Sequence, residues 1–207
     1  MNIIFLDNDG VLNDEEHFKK IREKHKKTGV LPTPDEFYIN KEKIKILCDL
    51  VQETDSKIVF SSDLRDEQKI VDSLKSNLKE FGLEASFLGT TVKGSKLDAI
   101  KEYIDNQKEE HNYIILDDDI VALEWNRTLE TKEEFDRKYD AMMCSGKIPG
   151  PRWSWPYILN TDTEYGLKKE HISQAKQILE RQVIGKQMIR TLKNYKIKMQ
   201  EDEGQEI

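Results

Sequence analysis

Apolar residues in this chain gather in short unbroken runs, separated by longer stretches in which they recur at helical spacing. Ile3-Ile4-Phe5-Leu6, Ile58-Val59-Phe60 and Tyr113-Ile114-Ile115-Leu116 are such runs. Bounded by turn-forming polar residues, they predict strands buried on both faces, as in a parallel sheet. Ala85 to Gly89 predicts a shorter strand, and Tyr157-Ile158-Leu159-Asn160 a fifth. Between them, Ile44, Leu47, Cys48 and Val51 mark one amphipathic helix. Ile70, Leu74, Leu78 and Phe81 mark another that stops at Gly82, and Leu97, Ile100 and Ile104 a third. Ser95 and Asp98 have the spacing of a capping box for that third helix, and Ile172, Ala175 and Leu179 predict a last one. Strands alternating with helices predict an α/β fold, with a five-stranded, mainly parallel sheet of Rossmann-like type flanked by helices.

Two segments break this rhythm. Residues 13 to about 40 are polar, with a turn-like Leu31-Pro32-Thr33-Pro34, and predict a short helix and a surface loop without a core pattern. Residues 120–156 interrupt the domain after the fourth strand and hold Lys147, Arg152, Trp153 and Trp155 among Gly and Pro. A loop of that length within a domain is usually functional or disordered. Either its tryptophans pack the insertion onto the domain, or Arg152 and the rings grip a phosphate and stack a base. The expected organisation is one domain over 1–185 and a charged tail over 186–207, which extends the last helix or is disordered.

Charge changes the picture in one respect. With 33 basic against 40 acidic residues, the net charge of −7 excludes a uniformly basic nucleic-acid binder but leaves room for a local basic patch. No apolar run approaches the ~20 residues of a membrane helix, and the chain enters its first strand without a leader pattern. Two cysteines, Cys48 and Cys144, point to a reducing compartment, and the cytoplasm is the expected location. His17, His25, His111 and His171 show no metal-ligand spacing and read as surface residues.

The candidate chemistry lies at the strand ends. Asp7-Asn8-Asp9-Gly10 follows the first strand, with a glycine that permits a sharp turn. Ser61-Ser62 follows the second, Lys93 or Lys96 heads a helix, and Asp117-Asp118 follows the fourth. Parallel strands bring these ends to one edge, where open α/β sheets bind their ligands. Phosphoryl transfer uses this inventory: a carboxylate nucleophile, a second carboxylate as acid and base, hard oxygen ligands for Mg²⁺, and a hydroxyl and an ammonium on the phosphoryl oxygens.

In that order the motifs resemble those of the haloacid dehalogenase (HAD) superfamily. FLDNDGVLN, IVFSSDLR, KLDAIKEYI, YIILDDD and YILNTDTEYGLKKEHISQAKQIL are similar to the HAD domain of Swiss Army Knife RNA repair proteins. The phosphatase half of polynucleotide kinase–phosphatases is similar too. The likeness covers about residues 1–119 and 157–180. It implies a HAD fold with a minimal cap. It also implies Asp7 as nucleophile and Mg²⁺ ligand, and Asp9 as acid/base that ligates through its backbone carbonyl. Ser62, in preference to Ser61, would hold the phosphoryl oxygens, and Lys96, in preference to Lys93, would stabilise the phosphoaspartate. Asp117 and Asp118 would complete the metal site, with Gly10, Ser61, Arg65 and Arg152 on the substrate. Asn8, and Asp63-Leu64 before Arg65, depart from the usual pattern. The implied function is Mg²⁺-dependent hydrolysis of a phosphomonoester, on a nucleic-acid end such as a 3′-phosphate. The alternatives are a small-molecule or nucleotide phosphatase, and a non-catalytic phosphate-binding or scaffold module.

Overall fold

The computed structural model describes residues 1–118 and 158–203, with side-chain surroundings through residue 191. The 120–156 insertion, Arg152, Trp153 and Trp155 lie outside the described residues. The apolar runs form strands β1 (Asn2–Leu6), β2 (Ser56–Phe60), β3 (Phe87–Thr90), β4 (Asn112–Asp117) and β5 (Ile158–Asn160). They build one sheet in the order β3-β2-β1-β4-β5, with every neighbouring pair parallel. The third strand starts two residues later than the spacing predicts, because Glu84–Ser86 is a 3₁₀ turn that follows the left-handed Gly82.

Strand alternation divides the core in two. Ile4, Leu6, Ile58, Phe60, Ile114 and Leu116 pack with apolar residues of α3 (Lys41–Thr54), α4 (Gln68–Glu80) and α6 (Glu170–Glu203). Ile3, Phe5, Val59 and Ile115 face Leu97 and Ile100 of α5 (Lys96–Asp105) on the other side. Phe5 anchors that layer, with edge-on ring contacts to Tyr103 at 5.5 Å and Tyr113 at 6.3 Å. Burial of a phenylalanine of this kind is worth roughly 1.5–3 kcal/mol. The chain runs from β1 through β2 to β3 on one side and returns to β4 and β5 on the other, so its direction reverses between β1 and β4.

The polar segment after β1 holds more structure than its composition predicts. α1 (Glu15–Thr28) buries no residue and is held by its ends: Asp14 accepts from the His17 amide, and Gly29 closes it in the left-handed region. α2 (Pro34–Tyr38) starts at a complete capping box made by Thr33 and Glu36. Phe18 and Phe37, 5.3 Å apart, join the two helices. The capping box expected at Ser95 and Asp98 does not form: the Ser95 hydroxyl makes no cap bond. The approach to α5 is set instead by Arg65, whose guanidinium takes the Val92 and Gly94 carbonyls. α6 continues to Glu203, through the segment read as a tail. Among the described residues, no helix is long and apolar enough to cross a membrane.

His171 departs from its expected surface place: it is 6% exposed, and its Nδ1 accepts from the Lys168 amide at 3.0 Å. Burial pushes its imidazole below the ordinary 6.5, Lys168 and Lys43 adding to the effect and Glu170 opposing it. Below pH 6.5 the unfolded chain therefore binds the proton first, so the stability this group contributes is present above that pH and lost as pH falls through the native pKa. The melting temperature should fall between pH 7.5 and 5.5, and fall less in His171→Gln. Equal falls in the two proteins would remove His171 as the cause.

Candidate active site

The register of the three central strands assembles the site. Leu6 pairs with Phe60 on one side and with Leu116 on the other, so the next residues, Asp7, Ser61 and Asp117, end adjacent strands in one row. The row is closed by hydrogen bonds from Asp7 N to the Leu116 carbonyl (3.0 Å) and from Ser61 N to the Leu6 carbonyl (2.8 Å). Leu6, Phe60 and Leu116 point into the larger core layer, so alternation turns the following residues toward α5. Lys96 opens that helix, and its ammonium reaches back to Asp7 Oδ2 at 3.0 Å and Asp117 Oδ2 at 2.7 Å. Lys93, the other candidate, instead pairs with Asp66 at 3.2 Å and is largely exposed. Burial alone would lower the Lys96 pKa, but the Asp7 and Asp117 carboxylates outweigh it and raise it above the ordinary lysine range. The ammonium is thus charged at every pH the protein meets.

Asp7, Asp117 and Asp118 each offer a carboxylate oxygen within 4.8 Å of the others. A donor set of hard oxygens held this close fits a hard cation such as Mg²⁺. The Asp9 carboxylate is outside this cluster: it is exposed, and its Oδ1 accepts from Asn13 Nδ2 at 2.9 Å. Gly10 is needed for the close approach of Asp118. It sits at φ +66°, and a Cβ there would lie 2.0 Å from Asp118 Cγ and Oδ2. Its carbonyl accepts from Thr161 Oγ1 at 2.7 Å.

The two serines differ. Ser62 Oγ accepts from the Leu64 amide at 3.2 Å and caps the 3₁₀ turn Asp63–Asp66. Ser61 Oγ, beside Asp7, is buried and has no hydrogen-bond partner among the described residues. Arg65 is almost wholly buried, and its guanidinium is committed to the protein: Nε to the Val92 carbonyl (3.0 Å), Nη1 to the Ser62 carbonyl (2.8 Å) and Nη2 to the Gly94 carbonyl (2.5 Å). Asp63 adds a weaker contact at 3.4 Å. In the structure Arg65 braces the Ser62 turn against the loop that carries Lys96.

Several contributors escape a reading by motif. Thr163 Oγ1 donates to Asp118 Oδ2 at 2.8 Å, and the Leu167 amide bonds the Val11 carbonyl at 3.0 Å, so the segment after β5 holds both acidic loops. Asp14, which is buried, and the partly buried Lys43 form an ion pair at 3.2 Å that ties the first loop to α3. The signal for Thr161 and Thr163 was available: they follow a fifth strand end at the same edge. Asp14 and Lys43 carried no comparable signal.

A family model described as the HAD domain in Swiss Army Knife RNA repair proteins matches residues 3–139. No curated protein and no solved structure matches the chain. A HAD domain suggests chemistry of the phosphatase type, and the acidic cluster is compatible with metal binding. Strand-end carboxylates bridged by a lysine, on a sheet of this order and with this match over most of the chain, put it in a family: it belongs to the HAD domains of the Swiss Army Knife RNA repair proteins.

Proposed function

We propose that the protein hydrolyses phosphomonoesters through an aspartyl-phosphate on Asp7, with nucleic-acid 3′-phosphate ends as the substrate class. The observation that carries the chemistry is Lys96 spanning Asp7 and Asp117 at the point where the sheet order reverses. In the first step an Asp7 oxygen attacks phosphorus and the bond to the leaving oxygen breaks, while Asp9 gives that oxygen its proton. In the second step Asp9 takes a proton from water, whose oxygen attacks phosphorus and releases inorganic phosphate from Asp7. Lys96 neutralises charge on Asp7 and the phosphoryl oxygens through both steps, and the Ser61 hydroxyl is the better placed of the two serines to hold one of those oxygens. Asp7, Asp117 and Asp118, with the Asp9 backbone carbonyl, would hold Mg²⁺, which when bound supplies further charge neutralisation for the phosphoryl group.

Two observations support a bulky substrate. The family match has an RNA-repair context, and among the described residues only the small α1–α2 excursion follows the first acidic loop. The cytoplasm is the compartment that suits this reading. Cys48, its thiol pushed up to about 11 by burial and by Asp49, is a packing residue and no rival nucleophile.

The test is phosphate release from p-nitrophenyl phosphate, a mononucleotide and a 3′-phosphorylated oligonucleotide, with Mg²⁺ and with a chelator. The expected result is Mg²⁺-dependent turnover of all three, fastest on the oligonucleotide. An oligonucleotide no faster than the mononucleotide would favour a nucleotide phosphatase. No turnover on any of them would favour the non-catalytic module.

A further inference from the structure

Asn8 stands out as a departure from the usual first motif, and the structure gives it a task shared with Asn13. Both side chains are fully buried, while Asp9 between them in the loop is exposed. Asn13 Nδ2 donates to Asp9 Oδ1 at 2.9 Å, and Asn8 Nδ2 donates to the same oxygen at 3.3 Å. Each amide also donates to the Tyr38 carbonyl at the end of α2, at 3.2 Å in both cases. An amide nitrogen carries two protons. All four N–H bonds of the pair thus converge on two oxygens, one on Asp9 and one on Tyr38.

The orientation of these amides is forced. Turning either one over would set its oxygen against two acceptors. As they stand, Asn8 Oδ1 and Asn13 Oδ1 are buried and have no partner among the described residues. A buried acceptor without a donor is costly, and the fold accepts that cost twice so that the N–H edges meet at Asp9. The backbone makes the bracket possible. The Asn8 carbonyl accepts from the amides of Val11, Leu12 and Asn13, which folds Asn13 back over Asp9, and the Asn40 amide bonds the Leu12 carbonyl at 2.8 Å.

We propose that Asn8 and Asn13 are positioning residues that aim the Asp9 carboxylate at the leaving-group oxygen. The inference rests on the reading of Asp9 as acid and base. With Oδ1 held by two amides, Oδ2 is the oxygen that exchanges the proton. It protonates the leaving oxygen as the ester bond breaks, and takes a proton from water in the second step. The Tyr38 carbonyl holds the other edge of both amides, so α2 is part of the support.

Leaving-group dependence separates positioning from simple support of the loop. An alkyl phosphate needs its leaving oxygen protonated, whereas p-nitrophenolate departs readily without help. kcat/KM reports the steps up to the phosphoenzyme and is measured with both esters for wild type, Asn13→Ala and Asn13→Asp. The second variant keeps the size and replaces donors with an acceptor. For both variants we expect a loss of roughly 10- to 100-fold on the alkyl ester and less than about threefold on the p-nitrophenyl ester, since general acid catalysis contributes roughly 100- to 10,000-fold and a misaimed acid forfeits part of it. Equal losses on the two esters would overturn the positioning role and leave the phosphatase reading intact. A wild type inactive on both esters would instead remove the phosphatase reading, and this inference with it. If neither variant melts cooperatively, Asn13→Ser, which retains one donor, is read by the same ratio of losses.

Discussion

Asp7→Asn should abolish phosphate release, lowering kcat by at least about a thousandfold, the scale on which loss of a covalent nucleophile is felt. The amide keeps the shape of the side chain and can still contact its neighbours, but a neutral amide oxygen is a poor nucleophile for phosphorus. The substitution removes one of the two carboxylates on Lys96, but Asp117 still pairs with it at 2.7 Å and the strand-end backbone bonds do not involve the Asp7 side chain, so the fold should survive with some loss of stability. Phosphate release and a melting curve, measured together, check this. A folded Asp7→Asn protein with wild-type turnover would remove Asp7 as nucleophile. Loss of turnover with loss of folding would show that its part is structural.

Lys96→Met should be the most destabilising change at the site. The ammonium stands between Asp7, 5% exposed, and Asp117, fully buried, at 3.0 and 2.7 Å. Breaking a buried pair by removing one partner typically costs about 3–5 kcal/mol, because the remaining charge is left without compensation. Methionine fills much of the same volume, so the loss is electrostatic. On the proposed reading Mg²⁺ is held by the carboxylates that the lysine had neutralised, so the melting temperature of Lys96→Met should rise more with added Mg²⁺ than that of wild type. Turnover should be lost in either condition. If Mg²⁺ raises both melting temperatures equally, the acidic cluster is not where the cation acts.

Much of this site was legible in the sequence because its parts follow strands. The apolar runs at 3–6, 58–60 and 113–116 lead directly into Asp7, Ser61 and Asp117, and an unbroken run of that kind is difficult to bury except inside a sheet. Order and spacing then separated a phosphoryl-transfer inventory from an acidic turn. What local pattern could not do was rank neighbours. Ser61 and Ser62 are adjacent and chemically identical, yet one ends the strand row beside Asp7 while the other caps a 3₁₀ turn. Arg65 looked like a phosphate ligand because arginine often is one. Its burial under the 92–94 loop follows from packing between segments nearly thirty residues apart.

The helical excursion after β1 teaches the same lesson from the other side. α1 has no buried residue, so hydrophobic periodicity could not define it, and its ends are set by capping side chains and a left-handed glycine. His171 read as a surface residue because it has no neighbouring ligand, and burial against other elements is invisible to that test.

By itself the sequence determined the class of fold, the order of the strands and helices, and the residue types that stand at the carboxyl edge of the sheet. Those follow from local rules: apolar runs must be buried, and the chain must turn where they end. Only the tertiary structure decided that Lys96 spans Asp7 and Asp117, that Gly10 admits Asp118, and that Asn8 and Asn13 close on Asp9. Each of these depends on strand register, backbone dihedral or the path of a folded loop, which bring side chains to within hydrogen-bond distance across the sheet. A hydrogen bond changes character over a few tenths of an ångström, and spacing along a chain does not specify distance at that scale.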